Sequence, residues 1–329
     1  MKIIIFTENS RAGGMDSFIK LLIQMWPDRS DDFMLICNTS HPGLLQLEKS
    51  LPNNVKVFRH NIPLNWNIID SFFPPLTPNL IKKVFRHVLR IILAPYQFFA
   101  LRRLLKNNKG DKLISVNGAY PGGETCRIVN IAWNSLGYGK SIHNIHNFAI
   151  PYKWFSSFYE YPMDYFLSKS CNSFIGVSKT CSDSLKMRSI FKNSDIKTVY
   201  NGLAPLGKSD KKSLNPENFP KIPTEEKVLL MLAGYEPRKG HEFIFKSMKE
   251  VFEFYPKIHL VICGSGSKKE RSSIGDLANQ IIPNQNIHLL DFIPNAGAFI
   301  DRAYILLVAS QKFESFGLTV LLKFLLFHN

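Results

Sequence analysis

The stretch KVLLMLAGYEPRKGHEFIFKSMKEVFEF, residues 227–254, decides the fold that we predict for this chain. It begins with a continuous apolar run, which is typical of a strand buried on both faces of a parallel sheet. A polar loop follows, and then an amphipathic helix that Pro256 ends. The apolar face of this helix contains Phe243, Ile244, Met248, Val251 and Phe252. Such a unit of strand, loop and helix predicts an α/β domain.

Similar units occur along nearly the whole chain. The other strand-like runs are KIIIF, FMLIC, VKVF, KLISV, SIHNIHN, SFIGV, IKTVY, IHLVIC, NIHLL and YILLVA. Their spacing leaves room for crossover helices and therefore favours parallel sheets. Prolines concentrate in residues 203–226, which we interpret as a linker. We predict two Rossmann-like domains, residues 1–202 and 227–329, with ligands bound beyond the carboxyl ends of the strands.

Composition places the chain among globular proteins. Of its 329 residues, 45% are hydrophobic and 20% are charged, which is a soluble balance sufficient for two domains. The five cysteines form no C-x-x-C pair, so neither a zinc site nor a disulfide framework is indicated. The apolar run at the N-terminus is too short for a signal peptide. We therefore expect a cytoplasmic protein.

A basic segment accounts for a large share of the net charge of +15. Residues 71–110 contain no acidic side chain, and KKVFRHVLRIIL spaces its cations four apart on one helical face. Two arginines interrupt the apolar run short of the about 20 residues that span a bilayer, which argues against insertion. We expect a helix on an anionic membrane surface; the alternatives are a solvated helix face and, with less support, nucleic-acid binding. The predicted surface cations are Lys82, Lys83, Arg86, Arg90, Arg102 and Arg103.

Glycine-rich turns follow several of the predicted strands. Gly13 and Gly14 follow the first strand, where adjacent glycines let backbone N–H groups approach an anion at a helix N-terminus. Gly264 and Gly266 form a similar turn in ICGSG, and a third glycine-rich loop lies in NGAYPGGETCR. Each turn alone is equally consistent with an ordinary strand-to-helix connection.

Two polar positions in the first domain are further candidates. The strand SIHNIHN is predicted to carry His143 and His146 on one side near its carboxyl end. A histidine there is well placed to meet a ligand, although many such histidines only cap the strand. Asn201 begins a tight Asn-Gly turn just before the linker.

The EPRKG loop carries the sharper chemistry. Arg238 and Lys239 precede a helix N-terminus, and two cations there favour a diphosphate that gains charge as it leaves. The chain has no D-x-D, so no carboxylate pair is evident that would bind a metal for this purpose. After YILLVA come Ser310 and the ESFG turn, where Glu314 would accept hydrogen bonds from sugar hydroxyls or serve only as a helix-dipole carboxylate.

Taken in order, these motifs resemble one family. The chain is similar to the family 4 (group 1) retaining glycosyltransferases of the GT-B architecture, which build bacterial surface polysaccharides and lipopolysaccharide. The resemblance runs from the first glycine turn through VNGAYPGG, HNFAIP, FIGVSK and VYNG to EPRKG, ICGSG and ESFG. EPRKG and ESFG in register are its most specific elements.

The resemblance implies roles for particular residues. The first domain would hold the acceptor and the second a nucleotide sugar, with Lys239 and Arg238 on the diphosphate and Glu314 on the donor sugar. His146 would lie near the reacting centre. Transfer would proceed with retention, without a metal or other cofactor, by departure of the nucleotide diphosphate on the face that the acceptor attacks. The implied donor-binding residues are Gly13, Gly14, Asn201, Arg238, Lys239, Gly264, Gly266, Ser310, Glu314, Ser315, Phe316 and Gly317.

The chain departs from the family pattern in two ways. Many members have an arginine where this chain has Tyr235, which removes or moves one phosphate contact. The family has a second glutamate eight positions after Glu314, and Leu322 at that position cannot accept a hydrogen bond from a ribose hydroxyl. The chain ends at Asn329 without the remaining elements of the second domain, so we expect that domain to be incomplete and the product to be truncated.

The functional expectation is a hexosyltransferase at the inner face of the cell membrane. Its partners would be a nucleotide-sugar donor, a lipid-linked or oligosaccharide acceptor and the anionic membrane surface, with no nucleic acid. The alternatives are an inactive fragment of such an enzyme, a membrane-surface binding protein that keeps only the acceptor domain, and a nucleotide-binding regulator.

Overall fold

The chain divides into two compact units. The computed structural model describes residues 1–74, 77–203, 219–283, 285–293, 296–311, 316–317 and 320–321, without the side chains of residues 79 and 298. The first unit comprises Met1–Ser10 and Phe18–Asn201, and the second comprises Arg11–Ser17 and Gly202–Asn329. Most of the predicted linker lies outside the described residues.

The first unit is built on a parallel sheet of seven strands. Its strands are β1 (Lys2–Thr7), β2 (Asp32–Asn38), β3 (Lys56–His60), β4 (Lys112–Asn117), β5 (Ser141–Ile145), β6 (Cys171–Gly176) and β7 (Ile196–Thr198). Their order is β3-β2-β1-β4-β5-β6-β7, and every neighbouring pair is parallel. Each of the seven apolar runs predicted for this half is therefore confirmed as a strand. The order changes direction between β1 and β4, which makes this edge the switch point of a doubly wound sheet.

Seven α-helices are described in the first unit and at its edge. They are α1 (Gly14–Gln24), α2 (Leu44–Ser50), α3 (Asn65–Phe72), α4 (Asn79–Asn107), α5 (Glu124–Ser135), α6 (Ser157–Ser170) and α7 (Lys179–Leu185). One core cluster joins Ile4 and Phe6 of β1 to Leu101 and Leu105 of α4 and to Trp133 of α5. These apolar contacts fix α4 and α5 against the same face of the sheet.

The second unit repeats the arrangement on a smaller sheet. Its described strands are β8 (Val228–Leu232), β9 (His259–Cys263), β10 (Ile287–Leu290) and β11 (Ile305–Leu307), in the parallel order β10-β9-β8-β11. Its described helices are α8 (His241–Phe254), α9 (Lys268–Ile281) and α10 (Gly297–Arg302). Ile244, Met248 and Phe252 of α8 are buried as predicted. Phe243, predicted on the same face, is instead exposed because it faces away from the sheet.

A buried ionic network ties three helices of the first unit together. The carboxylate of Glu160 on α6 lies 2.9 Å from Arg90 of α4, 3.0 Å from Arg127 of α5 and 2.7 Å from Arg188. Arg188 also pairs with Asp164 of α6 at 2.6 Å. Buried charges are tolerated only when they are paired, so the helices are held where the pairs form.

Arg90 corrects the sequence prediction for the basic segment. It was expected on a membrane-facing surface with Lys82 and Arg86, but its side chain is only 14% exposed and lies 2.7 Å from Glu124. Its guanidinium also donates to the carbonyl oxygen of Pro121. Arg90 is therefore a structural residue, because the buried carboxylates of α5 and α6 hold it against the domain.

The outer face of α4 is apolar. By length and composition alone, the segment Leu80–Asn107 is apolar enough to cross a membrane. Only 17% of its most apolar stretch is buried within the protein. The inner face uses Leu89, Gln97, Leu101 and Leu105, which are buried against the domain. The exposed face carries large apolar side chains at helical spacing, namely Ile81, Val84, Val88, Ile92, Tyr96 and Phe99.

We expect the ionic network to contribute strongly to stability. Arg188→Met should lower the free energy of unfolding by about 3–5 kcal/mol, because it leaves buried carboxylates short of a partner. Burial already raises the pKa of Asp164, and the loss of Arg188, which lowers it, would raise it further. Denaturant unfolding measures the change.

The matched control is Lys186→Met, which removes a cation two residues away. Lys186 pairs with Asp183 at 3.1 Å, but both side chains are about half exposed. Its loss should cost less than about 1 kcal/mol. Equal effects of the two substitutions would contradict the importance of the buried network.

Candidate functional site

The EPRKG loop lies at the carboxyl end of β8. The backbone makes a 3₁₀ turn at Pro237–Lys239, Gly240 adopts a φ of 78°, and α8 begins at His241. Lys239 lines a small pocket together with Ser310 and Gly317 and with the last residues of β8 and β11. The structure thus brings together three of the residues that the sequence predicted for the donor site.

A close backbone approach holds this pocket together. A Cβ atom at Gly240 would lie 2.0 Å from the carbonyl oxygen of Ala309, so only glycine fits there. The N–H of Gln311 donates to the carbonyl oxygen of Arg238 over 2.9 Å. These two contacts fix the loop after β11 against the EPRKG loop, and they place Ser310 beside Lys239.

Arg238 lies in the same loop but makes a local ion pair. Its Nε donates to Glu236 Oε2 at 2.8 Å, and both side chains are partly exposed. A phosphate would therefore compete with Glu236 for this guanidinium. Lys239 lines the pocket itself, whereas Arg238 is not among its described lining residues.

Tyr235 has a structural role that the sequence did not reveal. Its side chain is 2% exposed. Its hydroxyl donates to the carbonyl oxygen of Leu290 at 2.7 Å and lies 3.1 Å from that of Ile262. Tyr235 therefore connects the loop after β8 to the carboxyl ends of β9 and β10.

Packing requires a glycine at position 264 of ICGSG and makes position 266 tight. A Cβ atom at Gly264 would lie 1.9 Å from the carbonyl oxygen of Ala233, and one at Gly266 would lie 3.0 Å from Cβ of Tyr235. The loops after β8 and β9 approach each other because both positions lack a side chain. Contact of Gly264 and Gly266 with a donor stays a prediction.

The first glycine turn is closed by its own helix. The N–H of Gly13 donates to the carboxylate of Asp16 at 3.0 Å, and the carbonyl oxygen of Gly13 accepts from the N–H of Asp16. The helix α1 begins at Gly14. An anion at Gly13 would have to displace Asp16, so the donor role of this turn also stays a prediction.

His146 lies one residue beyond the end of β5. Its backbone N–H donates to the carbonyl oxygen of Asn117 at 2.9 Å, and its ring meets Phe18 edge-on at 4.3 Å. Burial lowers the pKa of His146 to about 3, so the imidazole is neutral at neutral pH. Its Nε2 is buried and has no hydrogen-bond partner among the described residues. A neutral imidazole suits a hydrogen bond to a sugar and not a charge contact.

The prediction that His143 shares a side with His146 is wrong. The strand ends at Ile145, before His146. Side chains along a strand alternate between its two faces, so residues three apart do not share a face. His143 is fully buried, with Nδ1 2.7 Å from Ser115 Oγ, and belongs to the core.

The remaining predicted residues are described only in part. Asn201 is buried, and its Oδ1 lacks a partner among the described residues. Gly317 adopts a φ of 72° and accepts the N–H of Val320, which begins a helical turn, and Phe316 precedes it in a bend. Glu314, Ser315 and Leu322 lie outside the described residues, so their roles stay predictions.

Sequence reasoning missed Glu8, which directly follows β1. Its carboxylate accepts hydrogen bonds from the N–H and hydroxyl of Thr125, at 2.9 and 2.6 Å, and from Trp66 Nε1 at 3.2 Å. Burial raises the pKa of Glu8. The sequence feature that could have identified Glu8 was its place as a polar residue immediately after the central strand, at the switch point of the sheet.

Comparisons with known proteins agree with this architecture. Residues 215–321, which lie in the second unit, match the model of the family described as Glycosyl transferases group 1. No curated protein matches the chain in sequence.

Solved structures match nearly the whole chain. HepE from Anabaena, solved with UDP and glucose, has a TM-score of 0.67 at 13% identity, over 99% of this chain and 78% of that one. The apo structure of OtsA has a TM-score of 0.65 at 11% identity, over 99% and 81%. Sucrose-phosphate synthase from Thermosynechococcus elongatus has a TM-score of 0.64 at 13% identity, over 98% and 79%. These likenesses confirm the predicted α/β fold with two Rossmann-like domains of the GT-B architecture.

The close approach at Gly240 leads to a testable expectation. Gly240→Ala should destabilise the second unit by more than the about 1–2 kcal/mol that a left-handed alanine costs, because its Cβ also collides with Ala309. Gly137→Ala is the matched control, since Gly137 has a φ of 76° and open space around its Cβ position. Unfolding of each variant by denaturant gives the two costs, and equal costs would show that the approach to Ala309 is unimportant.

Proposed function

We propose that this chain is a glycosyltransferase that moves a sugar from a nucleotide-sugar donor to a bacterial surface-polysaccharide or lipid-linked acceptor, with retention and without a metal. The observation that carries the proposal is the pocket of Lys239, Ser310 and Gly317 at the carboxyl ends of β8 and β11. It lies in the unit that matches the group 1 glycosyltransferase family.

The donor chemistry follows from this pocket. When the bond between the sugar and the nucleotide breaks, negative charge develops on the leaving diphosphate. Lys239 and the N-terminus of α8 place positive charge at the carboxyl edge of the sheet, where it stabilises that leaving group. HepE was solved with UDP-glucose, which supports a uridine diphosphate sugar as the first donor to test.

The acceptor step requires little further chemistry. In the proposed route the acceptor hydroxyl attacks the sugar on the face from which the diphosphate departs, and its proton passes to a phosphate oxygen of the leaving group. Neutral His146 would orient the reacting sugar by a hydrogen bond, and Glu314 would accept hydrogen bonds from its hydroxyls.

Lys239→Ala should weaken binding of UDP-glucose by about 10- to 100-fold, which corresponds to a charged hydrogen bond of about 1.5–3 kcal/mol. Binding of uridine, which lacks the phosphates, should not change. Calorimetry with both ligands measures the difference.

Lys246→Ala serves as the control for the loss of one positive charge. Lys246 lies on the same helix, exposed, in a pair with Glu242 at 2.7 Å. This variant should bind UDP-glucose as the parent does. Unchanged binding in Lys239→Ala would mean that the EPRKG loop has only a structural role.

The membrane part of the proposal rests on an exposed apolar surface of the first unit. On α4, Ile92 and Phe99 are each 64% exposed, and Val84 is 58% exposed, all on one helical face. Contiguous exposed apolar surface of this kind marks an interaction site. The exposed cations Lys83 and Arg86 on the same helix favour an anionic lipid surface.

Aromatic residues of α6 and its preceding loop extend this surface. Trp154 is 88% exposed and Phe158 is 65% exposed. Phe155, in the loop before α6, meets His87 of α4 edge-on at 5.2 Å, so this loop lies against α4. Tryptophan and tyrosine favour the boundary between lipid and water, which supports a protein peripheral to the cytoplasmic face of the membrane.

Changing Lys82, Lys83 and Arg86 together to Gln should reduce binding to vesicles of anionic lipid, because each such cation contributes about 1 kcal/mol near the surface. Arg90 is left intact because it is structural. Cosedimentation with vesicles measures binding.

The control changes Lys246, Lys249 and Lys257 to Gln, which removes the same charge from exposed positions of the second unit. Binding should then persist. Equal losses in the two triple variants, or strong binding to neutral vesicles at high salt, would contradict this surface assignment. Vesicle binding without any UDP-glucose binding would favour a membrane-binding protein over a transferase.

A further inference from the structure

A cavity of about 310 Å³ lies at the carboxyl ends of β2 and β3, wholly within the first unit. The loops after these strands form one side of it, and α3 forms the other. This is the edge of a parallel sheet at which α/β proteins bind ligands. None of the residues predicted from the sequence for the donor or the membrane lies in its wall.

The polar part of the wall consists of neutral groups. Thr39, Ser40 and Ser71 supply hydroxyls, and Asn61 and Asn67 supply amides. No Lys, Arg, Asp or Glu is among the described residues that line the cavity. Hydroxyl and amide groups both donate and accept hydrogen bonds, so they match the hydroxyls of an uncharged ligand.

The rest of the wall is apolar. Ile62, Ile68 and Phe72 line the cavity, and the side chain of Phe72 is 72% exposed. A sugar ring carries hydroxyls at its rim and C–H groups on its faces. A wall that combines neutral polar groups with apolar side chains is complementary to both features.

His60 adds a neutral imidazole to this wall. Its Nδ1 accepts the N–H of Ile62 at 3.3 Å, so the ring proton is on Nε2. The residue is only 4% exposed, and Nε2 has no hydrogen-bond partner among the described residues. Burial lowers the pKa of His60 to about 4, so the imidazole stays neutral at neutral pH.

The cavity is held open by bonds within its own wall. The amide of Asn38 donates to the carbonyl oxygen of Asn9 and to Ser40 Oγ, both at 2.9 Å. Ser40 Oγ also accepts from the amide of Asn67 on α3 at 2.9 Å. The wall is therefore formed without a ligand, which lowers the entropic cost of binding one.

We propose that this cavity binds one uncharged sugar ring, and that the ring belongs to the acceptor. Its volume is at the lower end of the roughly 300–1,000 Å³ of small-molecule sites, which suits a single ring and not an oligosaccharide. The neutral wall selects against phosphorylated or acidic sugars, whose charge would lose its hydration without gaining a partner. The assignment of the ring to the acceptor rests on the proposed function. Binding of a sugar in the cavity is tested independently of that function.

The test blocks the cavity in the full chain. Methyl glucoside and methyl glucuronide, which share a ring and differ by a carboxylate, are titrated by NMR. We expect the glucoside to bind in the millimolar range and to shift the imidazole N–H resonance of His60. Ser71→Phe should weaken glucoside binding at least tenfold, because the new ring fills the mouth of the cavity.

Ser168→Phe is the matched control. Ser168 is an exposed residue of α6 whose hydroxyl donates within its helix at 2.8 Å, as does that of Ser71 on α3. This variant should bind the glucoside as the parent does. The proposal is overturned if neutral glycosides do not bind, if Ser71→Phe binds them unchanged, or if the glucuronide binds equally well.

Binding of UDP-glucose to the same variants separates the two proposals. Ser71→Phe should bind UDP-glucose as the parent does, since the cavity is not the predicted donor site. If the parent binds the glucoside but not UDP-glucose, the cavity stands and the proposed transferase function fails. If the parent binds UDP-glucose but no glycoside, the proposed cavity is wrong and the proposed donor site stands.

Discussion

The carboxylate of Glu160 is the interaction on which the first unit depends most. It is buried on α6, and it pairs with one arginine from α4, one from α5 and one from the turn after α7. A buried carboxylate would be expensive without these partners, so the network forms only when all four segments are in place. The position of α4 follows from it, because Arg90 directs one face of the helix inward. The apolar stripe on the opposite face is left exposed as a consequence.

The strands were predictable from the sequence, but the faces of α4 were not. Apolar runs of four to six residues alternating with helical patterns leave little choice besides parallel sheets. The spacing of Lys82, Arg86 and Arg90 places the three cations on neighbouring turns, but it cannot show that one of them has a partner 70 residues away. Contacts between distant carboxylates and arginines depend on the tertiary fold. For this reason Arg90 does not belong to the surface that was predicted to face a membrane, and the exposed face of α4 carries apolar residues instead.

The candidate donor site was predictable as a location and less so as a set of contacts. A glycine in a loop signals a conformation or a close approach, and the sequence does not say whether a ligand or the chain itself comes near. At Gly240 and Gly264 the neighbour is backbone, from Ala309 and Ala233. Tyr235 likewise replaces a presumed ligand contact by hydrogen bonds to strand ends. Lys239 and Ser310 line the pocket beside these backbone contacts.

Charge then distinguishes the two proposed sites. Transfer from a nucleotide sugar develops negative charge on the diphosphate, and the cations Lys239 and Arg238 occur in the loop that would meet it. An acceptor hydroxyl is neutral until it loses its proton, and a nearby cation would not help to hold it. The neutral cavity lined by His60 would therefore bind the proposed acceptor by shape and hydrogen bonds alone. Because neither site suits the other's ligand, each unit would select its own substrate before any bond breaks.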